Sequence, residues 1–304
     1  MRSRESPRSA GSPVTDQKTF VLSKVGSPRS LPQFPRELQA GAAQPPVLHR
    51  GSVLVEFGCD SCDNRSVAGY VVHERELESR RDGGDTASRA VAIDARAGSE
   101  LLELHVTRYD PGRSLPRALQ GVQEILYAAS GRGRLVVDDQ AHELEAGTGV
   151  YLAAGESYEV ESRGPEELLT VSVIAPQTNG ATPVGPRTVR LADQPLLSAS
   201  GDREFRYLVT EELGCRDMTQ FYGVIAPGRA PDHSHVYDEV IYVLEGEGVL
   251  HGDGEDRPVS AGSCIHLPPL YVHSLENSGD KPMRIVAVFQ PAGDPASRAY
   301  EANE

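Results

Sequence analysis

Three histidines and one glutamate carry a spacing that could do metal chemistry. His233 and His235 flank a single serine, Glu239 follows four residues later, and His273 comes after Gly262 and Pro268. Imidazole nitrogens suit Fe, Zn, Cu and Ni, and the carboxylate also admits Mn, so His233, His235, Glu239 and His273 read as ligands of one divalent transition metal. Alternate residues of a strand face the same way, so His-x-His predicts two imidazoles on one strand face, with Glu239 arriving where that strand meets its partner. Such a set leaves coordination positions for water or substrate.

The residues between the ligands indicate what holds them. Val240 to Leu244 is a β-branched and aromatic run closed by Gly246 and Gly248, Val249-Leu250 restarts a strand, and Gly252-Asp253-Gly254 has turn chemistry. A further strand runs from Cys264 to Leu267 and stops at Pro268-Pro269, because proline donates nothing to a sheet ladder. His273 then comes from a different strand. Short strands separated by glycine turns predict an antiparallel barrel.

The pattern Gly228-x4-His233-x-His235-x3-Glu239-x6-Gly246, followed by Gly262-x5-Pro268-x4-His273-x3-Asn277, resembles the two signature motifs of the cupin superfamily. The resemblance implies a small double-stranded β-helix, or jelly roll, with the metal inside. Leu270 stands where the second motif usually has glycine, and the first spacer is one residue shorter than the common form; neither departure touches a ligand position.

A second copy lies upstream. Glu124-Ile-Leu-Tyr-x3-Gly131 matches Glu239-Val-Ile-Tyr-x3-Gly246, and Ala146-Gly147 matches Ala261-Gly262, at an offset of 115 residues. Carried back at that offset, the ligand positions become Ala118, Gln120, Glu124 and Tyr158. All three histidines are gone, which predicts a first barrel that is metal-free, empty or at most an apolar pocket. The fold expected is all-β: two tandem cupin barrels behind a disordered tail. The expected segments are a Pro/Ser/Arg-rich tail over 1–46, an extension with strands over 47–96, cupin 1 over 97–177, a connecting segment over 178–204 and the metal-binding cupin 2 over 205–304.

Composition limits the partners. The first 46 residues carry seven Lys or Arg against three acids, so of the whole chain's net charge of −14 about −18 falls on the remainder, which disfavours nucleic acid and anionic membranes. The same tail holds seven serines and seven prolines and too little apolar surface to repay ordering. No run of 18 apolar residues is present, so no membrane helix is expected. The tail lacks a signal-peptide core, which together with four cysteines, Cys59 and Cys62 among them, points to reduced thiols in a turn and a cytoplasmic protein. Strands before the first barrel, Gly51 to Phe57 and Ala68 to Val72, are of the kind bicupins exchange with a neighbouring barrel or subunit, which makes a homodimer an expectation.

Outside the ligands, His266, Tyr271 and Tyr237 are the candidates for supporting the site, and no catalytic acid or base is identified. The resemblance implies a metal-dependent bicupin enzyme acting on a small-molecule substrate. Fe(II) and a dioxygenase rank first. Mn, Zn or Ni with isomerase, decarboxylase, lyase or hydrolase chemistry is the alternative, and a binding module without turnover is the third reading.

Overall fold

The computed structural model describes residues 69–180, 182–199 and 203–295. The expected tail, the expected strand Gly51 to Phe57 and Cys59 and Cys62 lie outside these residues. Among the described residues the secondary structure is strands and four short 3-10 turns, with every strand pair antiparallel.

Each half of the chain forms two facing sheets. In the first half, a sheet of six strands runs in the order Thr188–Arg190, Thr148–Leu152, Val122–Ser130, Leu168–Pro176, Glu103–Tyr109, Ala87–Ile93. It faces a sheet of shorter strands containing Arg132–Val137, Gln140–Glu145 and Ser157–Ser162. In the second half, seven strands run Tyr70–His73, Ser263–Leu267, Asp238–Glu245, Met283–Gln290, Thr219–Ile225, Arg203–Val209, Leu197–Ser198, and face a sheet of Gly228–Arg229, His273–Asn277, Glu247–Gly252 and Glu255–Ser260. The hairpin between the last two strands turns on Asp253 and Gly254, both at positive φ, the combination that matches strand twist in a two-residue loop.

Burial follows from this layering. Glu247–Gly252 alternates buried and open positions, as a strand with one wet face must. Ser263–Leu267 and Thr148–Leu152 are buried throughout, because one face looks into a barrel and the other is covered. The large sheets meet in a shared core in which Val106, Tyr127, Tyr151 and Val173 pack with Tyr222, Tyr242, Cys264 and Val286. Each barrel has its own interior as well, built on Leu126, Leu135 and Leu152 in the first and on Ile241, Leu250 and Ile265 in the second.

Each half lends a strand to the other. Tyr70–His73 pairs with Ser263–Leu267 of the second barrel, and Thr188–Arg190 pairs with Thr148–Leu152 of the first. Both cover sheet edges that would otherwise present unpaired backbone groups. The exchange of an N-terminal strand expected from sequence thus takes place between the two barrels of one chain. Ala87–Ile93, which the sequence reading left in the N-terminal extension, pairs with Glu103–Tyr109 in the first barrel's large sheet.

Candidate metal centre

The segment holding His233 and His235 is not the strand expected from His-x-His. His233 makes a single isolated bridge with His273, and the chain bends at Val236 before Asp238–Glu245 begins. The reason lies in who the partners are. His233 and His273 exchange both backbone hydrogen bonds at 2.9 Å, and the Leu270 amide donates to the His235 carbonyl at 2.7 Å, so two loops are stitched directly to each other. The stitching brings the three rings together, with centroids 4.5 Å apart for His233 and His273, 5.0 Å for His235 and His273, and 6.5 Å for His233 and His235. Glu239, on the adjacent strand, places Oε2 3.0 Å from His235 Nε2.

The ring nitrogens are oriented alike. His233 Nδ1 lies 3.1 Å from the Pro231 carbonyl, His235 Nδ1 2.9 Å from the Tyr237 carbonyl, and His273 Nδ1 2.8 Å from the Tyr271 carbonyl. A carbonyl only accepts, so each Nδ1 carries a proton, and in the neutral ring each Nε2 keeps its lone pair. Burial pushes the His273 pKa down to about 4, with the neighbouring histidines adding to the effect, which keeps that ring neutral at pH 7. His235 is also opposed by burial, but the Glu239 carboxylate beside it outweighs this and raises its pKa.

These donors fit a divalent metal. His235 Nε2 is buried and has no hydrogen-bond partner, since its approach to Glu239 is within ion-pair distance but outside hydrogen-bond geometry. Two cis ligands at about 2.1 Å from one ion stand about 3 Å apart, which is the separation seen. Among the described residues no three His, Cys, Asp or Glu side chains already enclose an ion-sized point, so binding a metal here requires side-chain movement that draws the four donors together.

The two tyrosine candidates stand behind the ligands, each by two contacts. Tyr237 supplies the carbonyl for His235, and its ring is sandwiched between His235 at 4.1 Å and Phe289 at 4.3 Å. Tyr271 supplies the carbonyl for His273 and stacks on that ring at 5.8 Å and 8°. Gly69 and Gly252 make room for Tyr271: a Cβ on Gly252 would sit 1.9 Å from its hydroxyl, and one on Gly69 2.6 Å from its ring. His266 is elsewhere. It is fully buried between the barrels, with Nε2 2.7 Å from Asp238 Oδ1 and Nδ1 3.3 Å from the Ala97 carbonyl, so it reaches the site only through the residue beside Glu239.

The first barrel corrects the register carried back from sequence. Tyr158 pairs with Arg117 as His273 pairs with His233, and the Gly155 amide donates to Leu119 as Leu270 does to His235. The equivalents of the first two histidines are therefore Arg117 and Leu119, not Ala118 and Gln120; Glu124 follows Leu119 by five positions where Glu239 follows His235 by four. Nor is the interior simply apolar. Arg117 Nε lies 3.2 Å from Glu124 Oε2, which also accepts from the Tyr158 hydroxyl at 3.0 Å. A guanidinium neutralises Glu124, whose counterpart in the second barrel, Glu239, stands beside the candidate ligand His235. The extra loop residue was countable in the sequence, but only the strand pairing shows where it falls.

A cavity of about 90 Å³ adjoins the second barrel's histidines and Glu239. Most of its wall is aliphatic or aromatic.

Comparison with known proteins agrees with this architecture. The cupin domain family matches twice, over residues 105–174 and 221–289. An oxalate-binding protein of Thermotoga maritima is 32% identical over 92 residues, covering 29% of this chain and 76% of that protein. The chain belongs to the cupin superfamily. As a bicupin it is also similar to an uncharacterised protein of Methanocaldococcus jannaschii, at 37% identity over 60 residues, which are 19% of this chain and 48% of that one, so this bicupin spans less than half of that relative. Its fold matches Bacillus subtilis oxalate decarboxylase with a TM-score of 0.62 at 15% identity, over 75% of this chain and 78% of that one. Among the described residues no helix is long and apolar enough to cross a membrane.

Proposed function

We propose that this bicupin is a metal-dependent enzyme that binds one divalent ion through His233, His235, Glu239 and His273 and acts on a small organic molecule beside it. The observation that carries this reading is the common orientation of the three imidazoles, each Nδ1 tied to a carbonyl, with the Nε2 of His235 3.0 Å from Glu239 Oε2. Carbonyls that fix tautomer and ring angle are a recurrent support for metal-ligating histidine.

Fe(II) with dioxygen is the chemistry we favour. Bound at this site, iron would supply both one-electron reactivity toward O2 and a Lewis-acid centre for a substrate oxygen. Isomerisation, lysis or hydrolysis needs a positioned acid or base besides the ligands. Glu204 is the one further carboxylate lining the cavity among the described residues, and it is solvent-exposed. The protein's own contributions are then orientation of the donors by Pro231, Tyr237 and Tyr271 and exclusion of water by the aliphatic wall.

A non-redox manganese enzyme is the second reading, supported by the shared fold with B. subtilis oxalate decarboxylase, whose centres are Mn(II). The experiment compares protein loaded separately with Fe(II), Mn(II) and Zn(II). Anaerobic nitric oxide should give a high-spin iron-nitrosyl signal with wild type and none with His235→Ala. Anaerobic turnover of oxalate supported by Mn(II) would overturn the dioxygenase reading in favour of the second.

A further inference from the structure

The residue before each barrel's strand glutamate faces the other barrel, and the two barrels fill that position differently. Asp238 precedes Glu239 on Asp238–Glu245, so its side chain leaves by the opposite face of the strand. There it is buried, with His266 Nε2 2.7 Å from its Oδ1 and the Ser99 hydroxyl 3.4 Å from its Oδ2. His266 Nδ1 lies 3.3 Å from the Ala97 carbonyl. Ala97 and Ser99 belong to the connection between Ala87–Ile93 and Glu103–Tyr109 of the first barrel, on either side of Gly98, whose φ of 85° ends a 3-10 turn. The strand that carries Glu239 is thereby fastened to the first barrel.

The duplication supplies an internal control. Val240 pairs with His266 as Ile125 pairs with Tyr151, which makes Gln123 and Tyr151 the counterparts of Asp238 and His266. The reciprocal contact is present. The Tyr151 hydroxyl donates to Gln123 Oε1 at 3.1 Å. Gln123 in turn reaches the second barrel, with Nε2 donating to Asp217 Oδ2 at 2.7 Å and Cys215 Sγ 3.7 Å from Oε1. Cys215 follows Gly214, whose φ of 92° ends the second barrel's own 3-10 turn, as Ser99 follows Gly98. Joining the barrels therefore does not itself call for an acid and an imidazole on these two strands. An amide and a phenol do it on the side where Glu124 is held by Arg117.

The two sides differ in what the strand must hold. Tyr237 and Glu239 flank Asp238; the first supplies the carbonyl for His235 Nδ1, and the second is a candidate ligand 3.0 Å from His235 Nε2. A hydrogen bond to a carboxylate is shorter and stronger than one between neutral groups, so it fixes the backbone around Asp238 more firmly than an amide would. We infer that Asp238 and His266 are positioning residues for the metal centre, anchoring Tyr237 to Glu239 against the first barrel so that His235 and Glu239 keep their separation. This rests on the proposed metal site.

The test measures Mn(II) affinity of the full-length protein in competition with a chelator. The electron paramagnetic resonance spectrum of the Mn(II)-loaded protein and the melting temperature of the metal-free protein are recorded beside it. Asp238→Asn and His266→Gln should each weaken Mn(II) binding roughly tenfold, the low end for groups that act behind a ligand, and change the fine structure of the bound ion's spectrum. Tyr151→Phe removes the matching contact of the first barrel, and should lower the melting temperature while affinity and spectrum stay as in wild type. Wild-type affinity and spectrum in both Asp238→Asn and His266→Gln would overturn the inference, leaving the pair as a bond between barrels and the metal site standing. Equal weakening by Tyr151→Phe would also overturn it, by tracing the loss to the interface as a whole. Failure of the wild type to bind Mn(II) or Zn(II) would overturn the metal site and the inference with it. If one of the paired variants does not fold, the other decides.

Discussion

Replacing Arg117 with methionine tests whether the first barrel has exchanged its metal for a side chain. The Glu124 side chain is 2% exposed and that of Arg117 23%, so the pair sits in the barrel with one edge near water. Removing one partner of a buried pair typically destabilises by 3–5 kcal/mol, because the remaining charge is left without compensation. The Tyr158 hydroxyl still donates to Glu124 and some water reaches the site, which places the expected loss near the low end, about 3 kcal/mol. For a folded body of this size that is roughly 6–12 °C in melting temperature. Arg117→Met combined with Glu124→Gln removes the orphaned charge while keeping an acceptor for Tyr158, and should regain at least half of the loss. Urea denaturation of the four proteins of this double-mutant cycle measures both numbers. A loss under about 1 kcal/mol for Arg117→Met, or a double variant as unstable as the sum of the singles, would refute the idea that the guanidinium stands in for a cation.

Two other consequences can be checked with the same equipment. Gly252→Ala drives a methyl group into the Tyr271 hydroxyl, so it should destabilise by about 1–3 kcal/mol and weaken metal binding against a competing chelator by loosening the ring stacked on His273; unchanged metal affinity would remove Tyr271 from the site's support. His251 links three strands of the outer sheet, with Nδ1 2.6 Å from Asp256 Oδ1 and Nε2 2.7 Å from Glu276 Oε2. Burial opposes its charge, as more weakly does Arg229, but the hydrogen bonds to Glu276 and Asp256 prevail and raise its pKa. The stability it contributes is therefore full below the ordinary histidine value of about 6.5 and is lost as pH rises through the higher folded value. His251→Gln should flatten that part of the stability profile, and a profile identical to wild type would contradict the assignment.

The strand-turn alternation and the duplication were legible because each rests on local rules: β-branched runs, glycine at positive φ, proline at a strand end. What escaped is set by pairing between distant segments. His-x-His reads as a strand in isolation, yet His233 and His235 are held by His273 and Leu270, far along the chain, and that contact replaces regular pairing. The place of the one-residue slip that makes Arg117 the counterpart of His233 was hidden for the same reason. An arginine near a lone glutamate means little until Tyr158 is seen pairing with the one and bonded to the other. Tyr237 and Tyr271 were nameable from their places beside ligands, but their use of both carbonyl and ring needed the geometry. Spacing set His266 outside the ligand positions and left it a supporting candidate, and its partners Asp238 and Ala97 place it between the barrels.

Metal stoichiometry tests the central claim most directly. Full-length protein reconstituted with Fe(II), Mn(II), Ni(II) or Zn(II), desalted and measured by elemental analysis, should hold about one ion per chain. His235→Ala and His273→Ala should each abolish binding while the strand-dominated circular dichroism persists, and Arg117→Met should leave the count at one. Two ions per chain, no ion with any of the four metals, or full retention in either histidine variant would contradict a single metal centre in the second barrel.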